Sequence, residues 1–217
     1  MEPIRLYFDY LSPYAYIAWT QIHALAERHG WAVEPRPVLF AALLGEHGQK
    51  GPAEIPAKRL YTFKDAYRKA RRAGLELVPP PSHPFNPLLA LRVASLPMPE
   101  DARRKLIDAL YDATWATGEG VETPERVATA ADRAGLPGAE LVERAAQQEN
   151  KDRLRDATRA AIERGVFGVP TLDVDGELFW GTDGIDFAGA FLRGEDPVPK
   201  DLSYFDRAPS AVRPRSK

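Results

Sequence analysis

The chain has 217 residues, 44% of them hydrophobic, enough for one large or two small domains with an ordinary core. Its 29 basic and 31 acidic side chains leave a formal charge of -2, which excludes the strong field that gathers nucleic acid or an anionic membrane surface and leaves small neutral or anionic ligands as partners. No cysteine is present, so disulfides, thiolate metal sites and chemistry by a protein-borne thiol are excluded, and any sulfur used must be borrowed.

The chain runs from Met1 directly into a strand-like segment, with no basic stretch followed by an apolar one and no run approaching ~18 apolar residues; the expectation is a soluble, unprocessed cytoplasmic protein without a membrane partner. Ile4, Leu6 and Phe8 alternate with Arg5, Tyr7 and Asp9, the period of a strand, until Ser12-Pro13. A helix follows, with Tyr14, Ile17, Ala18, Ile22 and Leu25 at helical spacing and Gly30 as its stop. Trp31 to Val38 reads as a second strand, which Pro35 and Pro37 push toward a sheet edge or a short span. This βαβ opening favours a parallel pair with a right-handed crossover.

From about Phe40 to Gly165 the pattern is helical only. Helices are expected over Ala57 to Arg72, Leu88 to Leu96 and Pro99 to Thr117, with the break P-P-P-S-H-P-F-N-P between the first two. Thr123-Pro124 and Asn150 read as further N-terminal caps, and Gly135 and Gly165 as stops. One-sided stripes at Leu106, Ile107, Leu110, Tyr111 and Thr114, and at Leu154, Ala157, Ala161 and Ile162, predict core-facing surfaces. After Gly165, Thr171 to Val174 and Glu177 to Trp180 flank Asp175-Gly176, a hairpin signal, and a closing helix starts near Asp183. The proline-rich end reads as a loosely held tail. Two strand-bearing ends around a helical middle predict an α/β core over 1–40 and 150–195, an all-helical insert over 41–149 and a tail over 196–217.

Two segments could carry chemistry. Ser12-Pro13-Tyr14-Ala15 sits where a helix N-terminus stabilises an anion, although serine before proline is equally the ordinary cap and first helical residue. In G-V-F-G-V-P-T, residues 165–171, a cis bond before Pro170 would leave the Val169 backbone to pair with an extended peptide, although most such bonds are trans. Lys58, Tyr61, Asp65 and Arg68 share one helical face that serves a solvated surface as well as a ligand. Asp183 reads as a cap and Asn86 as a brace of the proline loop. His23, His29, His47 and His83 lack metal-ligand spacing, so no metal is expected.

Taken together, Y-F-D-Y-L-S-P-Y-A-Y, P-A-K-R-L-Y, F-N-P-L-L-A-L-R, and G-V-F-G-V-P-T with D-G-E-L-F-W-G-T-D resemble, in order, the 2-hydroxychromene-2-carboxylate isomerases and the related kappa-class glutathione transferases. The resemblance covers roughly residues 3 to 195. It implies an α/β, thioredoxin-like domain with a large inserted all-helical domain, a homodimer, and glutathione as cofactor. It further implies that Ser12 hydrogen-bonds the glutathione sulfur, that the Val169 main chain before Pro170 pairs with the cysteinyl unit, that Lys58 reaches the tripeptide, that Asp183 lies near its γ-glutamyl end, and that Gln49, Pro170 and Thr182 also belong to the glutathione site. Two positions depart: Gln49 stands where relatives often have asparagine, and Gly184 where many have arginine, which unlike glycine can grip a carboxylate bidentately.

The leading reading is an isomerase of an aromatic 2-oxo acid of the benzylidenepyruvate type, in which a thiolate adds to a conjugated double bond, allows rotation and leaves. A kappa-like transferase conjugating electrophiles and a non-catalytic thioredoxin-like binding protein are the alternatives.

Overall fold

A computed structural model describes residues 2–199 and 201–204 of the chain. Strands β1 (Ile4–Phe8), β2 (Val33–Pro37), β3 (Thr171–Val174) and β4 (Glu177–Trp180) form one sheet in the order β2-β1-β3-β4. β1 pairs parallel with β2 and antiparallel with β3, and β3 pairs antiparallel with β4. Helix α1 (Pro13–Arg28) is the crossover between the parallel strands. The sheet edge expected for Pro35 and Pro37 is where β2 lies. Ala32 accepts from Ile4 and Val38 donates to Phe8, so the odd-numbered 35 and 37 turn their backbone to the open edge, where a missing N–H leaves no ladder bond unmade. The hairpin turn is met by Asp175 and Gly176, at φ of 50° and 88°, as a two-residue primed turn requires.

Between β2 and β3 the described residues hold helices and turns only: α2 (Phe40–Glu46), α3 (Pro56–Arg72), α4 (Leu88–Ala94), α5 (Glu100–Tyr111), α6 (Pro124–Arg133), α7 (Gly138–Ala146) and α8 (Gln148–Glu163). α9 (Gly184–Leu192) closes the fold. α2 and α7, both short, were not expected. The helix expected over 99–117 is α5 followed by a π-helical turn at Asp112–Ala116, closed by Thr117 N–H on the Asp112 carbonyl at 2.8 Å.

One further expectation is corrected. Asn150 does not cap α8, which begins at Gln148; its side-chain amide donates to the Arg92 carbonyl at 2.7 Å and ties the first turn of α8 to α4. Both faces of β1 contribute to buried clusters. Ile4, Leu6 and Phe8 pack into the main core, while Tyr7 belongs to a smaller cluster with Val38, Leu43, Ala161, Val166 and Val169, so helices cover both faces. Thr123 caps α6 as expected, accepting from Arg126 N–H at 3.4 Å.

The α5 stripe is fully buried and joins the sheet: Tyr111 lies 4.8 Å from Tyr10 and 5.8 Å from Phe8 between ring centroids, and Trp19 donates to Asp108 at 2.6 Å. Helical segment and sheet thus share one hydrophobic cluster. Of the tail expected over 196–217, residues 200 and 205–217 lie outside the described residues.

Candidate functional site

Three residues, Asp9, Tyr10 and Leu11, turn the chain from β1 into α1, and Ser12 caps the helix in an extended conformation, its Oγ accepting from Ala15 N–H at 3.2 Å. The capping reading of Ser12 is therefore met. The same hydroxyl also donates to the carbonyl of Val169, 157 residues away, at 3.5 Å, and the Val169–Pro170 bond is cis. The two segments singled out from the sequence thus meet at one point. At 3.5 Å this second bond is at the outer limit for a hydrogen bond, so the hydroxyl proton can swing to a stronger acceptor at little cost. Ser12 is 8% exposed and stands at the positive end of α1, where a neighbouring anion is favoured.

Asp9 fixes this turn from within. Its carboxylate is fully buried, accepting from Leu11 N–H at 2.9 Å through one oxygen and from Phe40 N–H, the first residue of α2, at 2.9 Å through the other. Burial raises its pKa to about 6 against the opposing pull of those two bonds.

A polar network extends from α1 across α3 to the start of α9. The Tyr14 hydroxyl donates to Asp65 at 2.8 Å, and Lys69 lies 3.6 Å from Asp65, 3.3 Å from Asp183 and over the Tyr14 ring. Burial, reinforced by the Asp65 carboxylate, holds the Tyr14 phenol well above its usual pKa, in keeping with its hydrogen bond to Asp65. Asp183 makes no side-chain cap bond to α9 and keeps its carboxylate 72% exposed, so the capping reading is not met. Beside it, Thr182 Oγ1 is buried with no hydrogen-bond partner among the described residues. A β-carbon at Gly184 would meet the Phe179 backbone at 3.0 Å, so a larger residue there requires α9 or β4 to give by a few tenths of an ångström, and Lys69 is a cation held nearby.

Lys58 is exposed on the first turn of α3, and Gln49 is exposed just after α2, its N–H on the Leu44 carbonyl at 2.9 Å. Among the described residues no hydrogen bond ties either to Ser12, Val169 or Asp183. Asn86 braces the proline loop, accepting from Leu88 N–H at 3.1 Å. A shallow cavity of about 410 Å³ lined by Pro81, Gly118, Glu119, Glu125, Arg126 and Thr129 includes none of the candidate residues. Sequence reasoning passed over Asp9, Tyr14 and Lys69. Asp9 and Tyr14 flank Ser12 in the quoted motif, and Lys69 stands four residues after Asp65, a local pair, whereas its contacts with Asp183 and the Tyr14 ring have no local signal.

A family model described as a DSBA-like thioredoxin domain matches residues 3–193. The chain belongs to the DsbA-like thioredoxin family. Within it, the 2-hydroxychromene-2-carboxylate isomerase of Sphingobium xenophagum is 29% identical over 193 residues, spanning 88% of this chain and 98% of the relative. The kappa 1 glutathione S-transferase of Rattus norvegicus is 28% identical over 221 residues, 92% of this chain and 96% of the relative. The solved structure of a 2-hydroxychromene-2-carboxylate isomerase superposes with a TM-score of 0.78 at 24% identity, covering 89% of this chain and 95% of that one. The thioredoxin-like α/β fold expected from the sequence is therefore the fold of this DsbA-like chain, and its relatives are isomerases and transferases. No helix among its described residues is long and apolar enough to cross a membrane.

Proposed function

We propose that the protein is a cytoplasmic, glutathione-dependent isomerase that interconverts 2-hydroxychromene-2-carboxylate and trans-o-hydroxybenzylidenepyruvate, or a closely similar aromatic-degradation acid. The observation that carries the reading is the meeting of the Ser12 hydroxyl, the N-terminus of α1 and the Val169 carbonyl at one point. The residues present fit the tripeptide. A weakly engaged hydroxyl at a helix N-terminus suits an anionic sulfur, and the unpartnered Thr182 Oγ1 with the uncapped Asp183 suits a polar γ-glutamyl end.

In this reading Ser12 turns its proton from Val169 toward the sulfur, and the Val169 main chain pairs with the cysteinyl unit. Thr182 and Asp183 hold the γ-glutamyl end, and Lys58 and Gln49 reach the tripeptide from the helical side. Bound glutathione supplies a thiolate that adds reversibly to a conjugated double bond. The protein's share is to favour the ionised sulfur through one charge-assisted bond and the α1 dipole, and to hold the acceptor in line. We divide the chain accordingly into a discontinuous thioredoxin-like unit, 1–40 and 150–195, and a helical insert, 41–149, and we expect a homodimer.

The kappa-class relative favours conjugation as the second reading. Incubation with glutathione and the open-chain acid separates them: isomer exchange with no conjugate supports the isomerase, a stable conjugate replaces it with the transferase, and no turnover removes both.

A further inference from the structure

Both peptide carbonyls that precede Ser12 are taken by ring N–H groups from the helical segment. Trp115 Nε1 donates to the Tyr10 carbonyl at 2.8 Å, and His83 Nε2 lies 3.0 Å from the Leu11 carbonyl. A carbonyl only accepts, so the His83 proton sits on Nε2 and Nδ1 is left as a bare acceptor. That Nδ1 is buried and has no hydrogen-bond partner among the described residues.

The two donor rings touch, with centroids 5.7 Å apart, and Phe63 meets His83 edge-on at 5.1 Å. Trp115 is fully buried in the π-helical turn Asp112–Ala116, and its own carbonyl accepts from Val78 N–H at 2.8 Å, just ahead of the proline loop that carries His83. Arg59 fixes that loop from α3 by donating to the His83 carbonyl at 2.8 Å. With Asp9 accepting from Leu11 N–H, the peptide groups entering Ser12 are held from both sides.

Packing alone does not call for an imidazole here. An apolar ring would fill the space among Phe63, Phe85 and Trp115 and remove the unpaired Nδ1, but it would take the donor from the Leu11 carbonyl. What the imidazole adds is a donor with the reach of Nε2, aimed at the peptide bond on which Ser12 hangs.

We propose that His83, backed by Trp115, is a positioning residue for Ser12: its Nε2–H holds the Leu11 carbonyl and so fixes the direction from which the Ser12 hydroxyl meets the sulfur. The role rests on the glutathione reading above. His83 acts through the loop and touches neither sulfur nor acceptor, and small displacements of a positioned group lower turnover more than binding.

The test compares His83→Gln, whose side-chain amide reaches as far as Nε2, with His83→Asn, which stops at the position of Nδ1, and His83→Phe, which fills the ring volume without a donor. Thermal melts identify the folded variants, and either non-donating variant suffices. Thiolate absorbance is titrated at saturating glutathione, and kcat and KM are measured for the open-chain acid. The expected result is a raised thiol pKa and about a tenfold loss of kcat in His83→Asn or His83→Phe, with KM within about twofold and His83→Gln close to wild type. In the ligand-free wild type, ¹⁵N spectra are expected to show His83 as the Nε2–H tautomer. Equal impairment of the glutamine and non-donating variants, no impairment in any, or an Nδ1–H tautomer each overturns the positioning role alone. A wild type without a thiolate signal overturns the glutathione reading, and the role with it.

Discussion

Replacing Ser12 by glycine separates its two duties, because a cap needs little of the side chain and a sulfur partner needs all of it. Glycine caps a helix at a cost of a few tenths of a kcal/mol relative to serine, and the extended backbone at Ser12, φ -97° and ψ 115°, is open to it. The bond to Val169, at 3.5 Å, adds little. With the greater chain entropy of glycine, the total loss of stability is about 1 kcal/mol. The effect on chemistry is larger. A free thiol has a pKa of ~8.5, and each unit of lowering requires ~1.4 kcal/mol of preference for the thiolate. One hydrogen bond to a charged group, worth ~1.5–3 kcal/mol, therefore supplies about one to two units. Ser12→Gly should keep most of its thermal stability, raise the pKa of bound glutathione by about one to two units, and slow isomerisation at neutral pH by roughly tenfold or more, with recovery in alkaline buffer. Ultraviolet titration of the thiolate at saturating glutathione and a pH profile of turnover measure both. Coincident titration curves with unchanged turnover would refute the reasoning and leave Ser12 as a cap alone.

Asp9 titrates at about 6 in the folded protein against ~3.9 unfolded, so between these values the native state binds the extra proton and stability falls as pH rises. The fall is about 3 kcal/mol across that window, and urea melts from acid to neutral pH should show it flattened in Asp9→Asn; parallel profiles would assign the titration elsewhere. Lys58→Ala should leave the melting temperature unchanged, since the side chain is exposed, yet weaken glutathione binding about tenfold if it makes a charge-assisted bond; calorimetry with unchanged affinity would return Lys58 to the solvated face. Asn150→Ala should cost about 1–2 kcal/mol by denaturant unfolding through loss of the bond to Arg92, with glutathione affinity intact; a neutral result would mean that α8 and α4 are held by apolar packing alone.

The sequence by itself determined what depends on neighbours along the chain. β1 and α1 followed from period and from a serine-proline start, the hairpin from Asp175-Gly176, and the edge position of β2 from its prolines, because each is set by backbone sterics within a few residues. The absence of cysteine settled that any thiol must be brought in. Ser12, Val169 and Asp183 could be nominated from motifs, but no local pattern could show that Ser12 and Val169 touch across 157 residues.

Only the tertiary structure decided the rest, and the reason is the same each time: the partner is distant in sequence. α2 carries no cap of its own because Asp9 supplies it from 31 residues away. Asn150 read as a cap because its type suits one, yet its amide serves the end of α4. The alternation of β1 could not tell whether the Tyr7 face is solvated or covered, and residues of α2 and α8 cover it. Gly184 lies tight against the Phe179 backbone, and Lys69, His83 and Trp115 each meet a carboxylate or carbonyl on another element. Hydrogen bonds and close packing are made in space, so the periodicity of a chain reports which face of an element is buried, and only the fold reports against what.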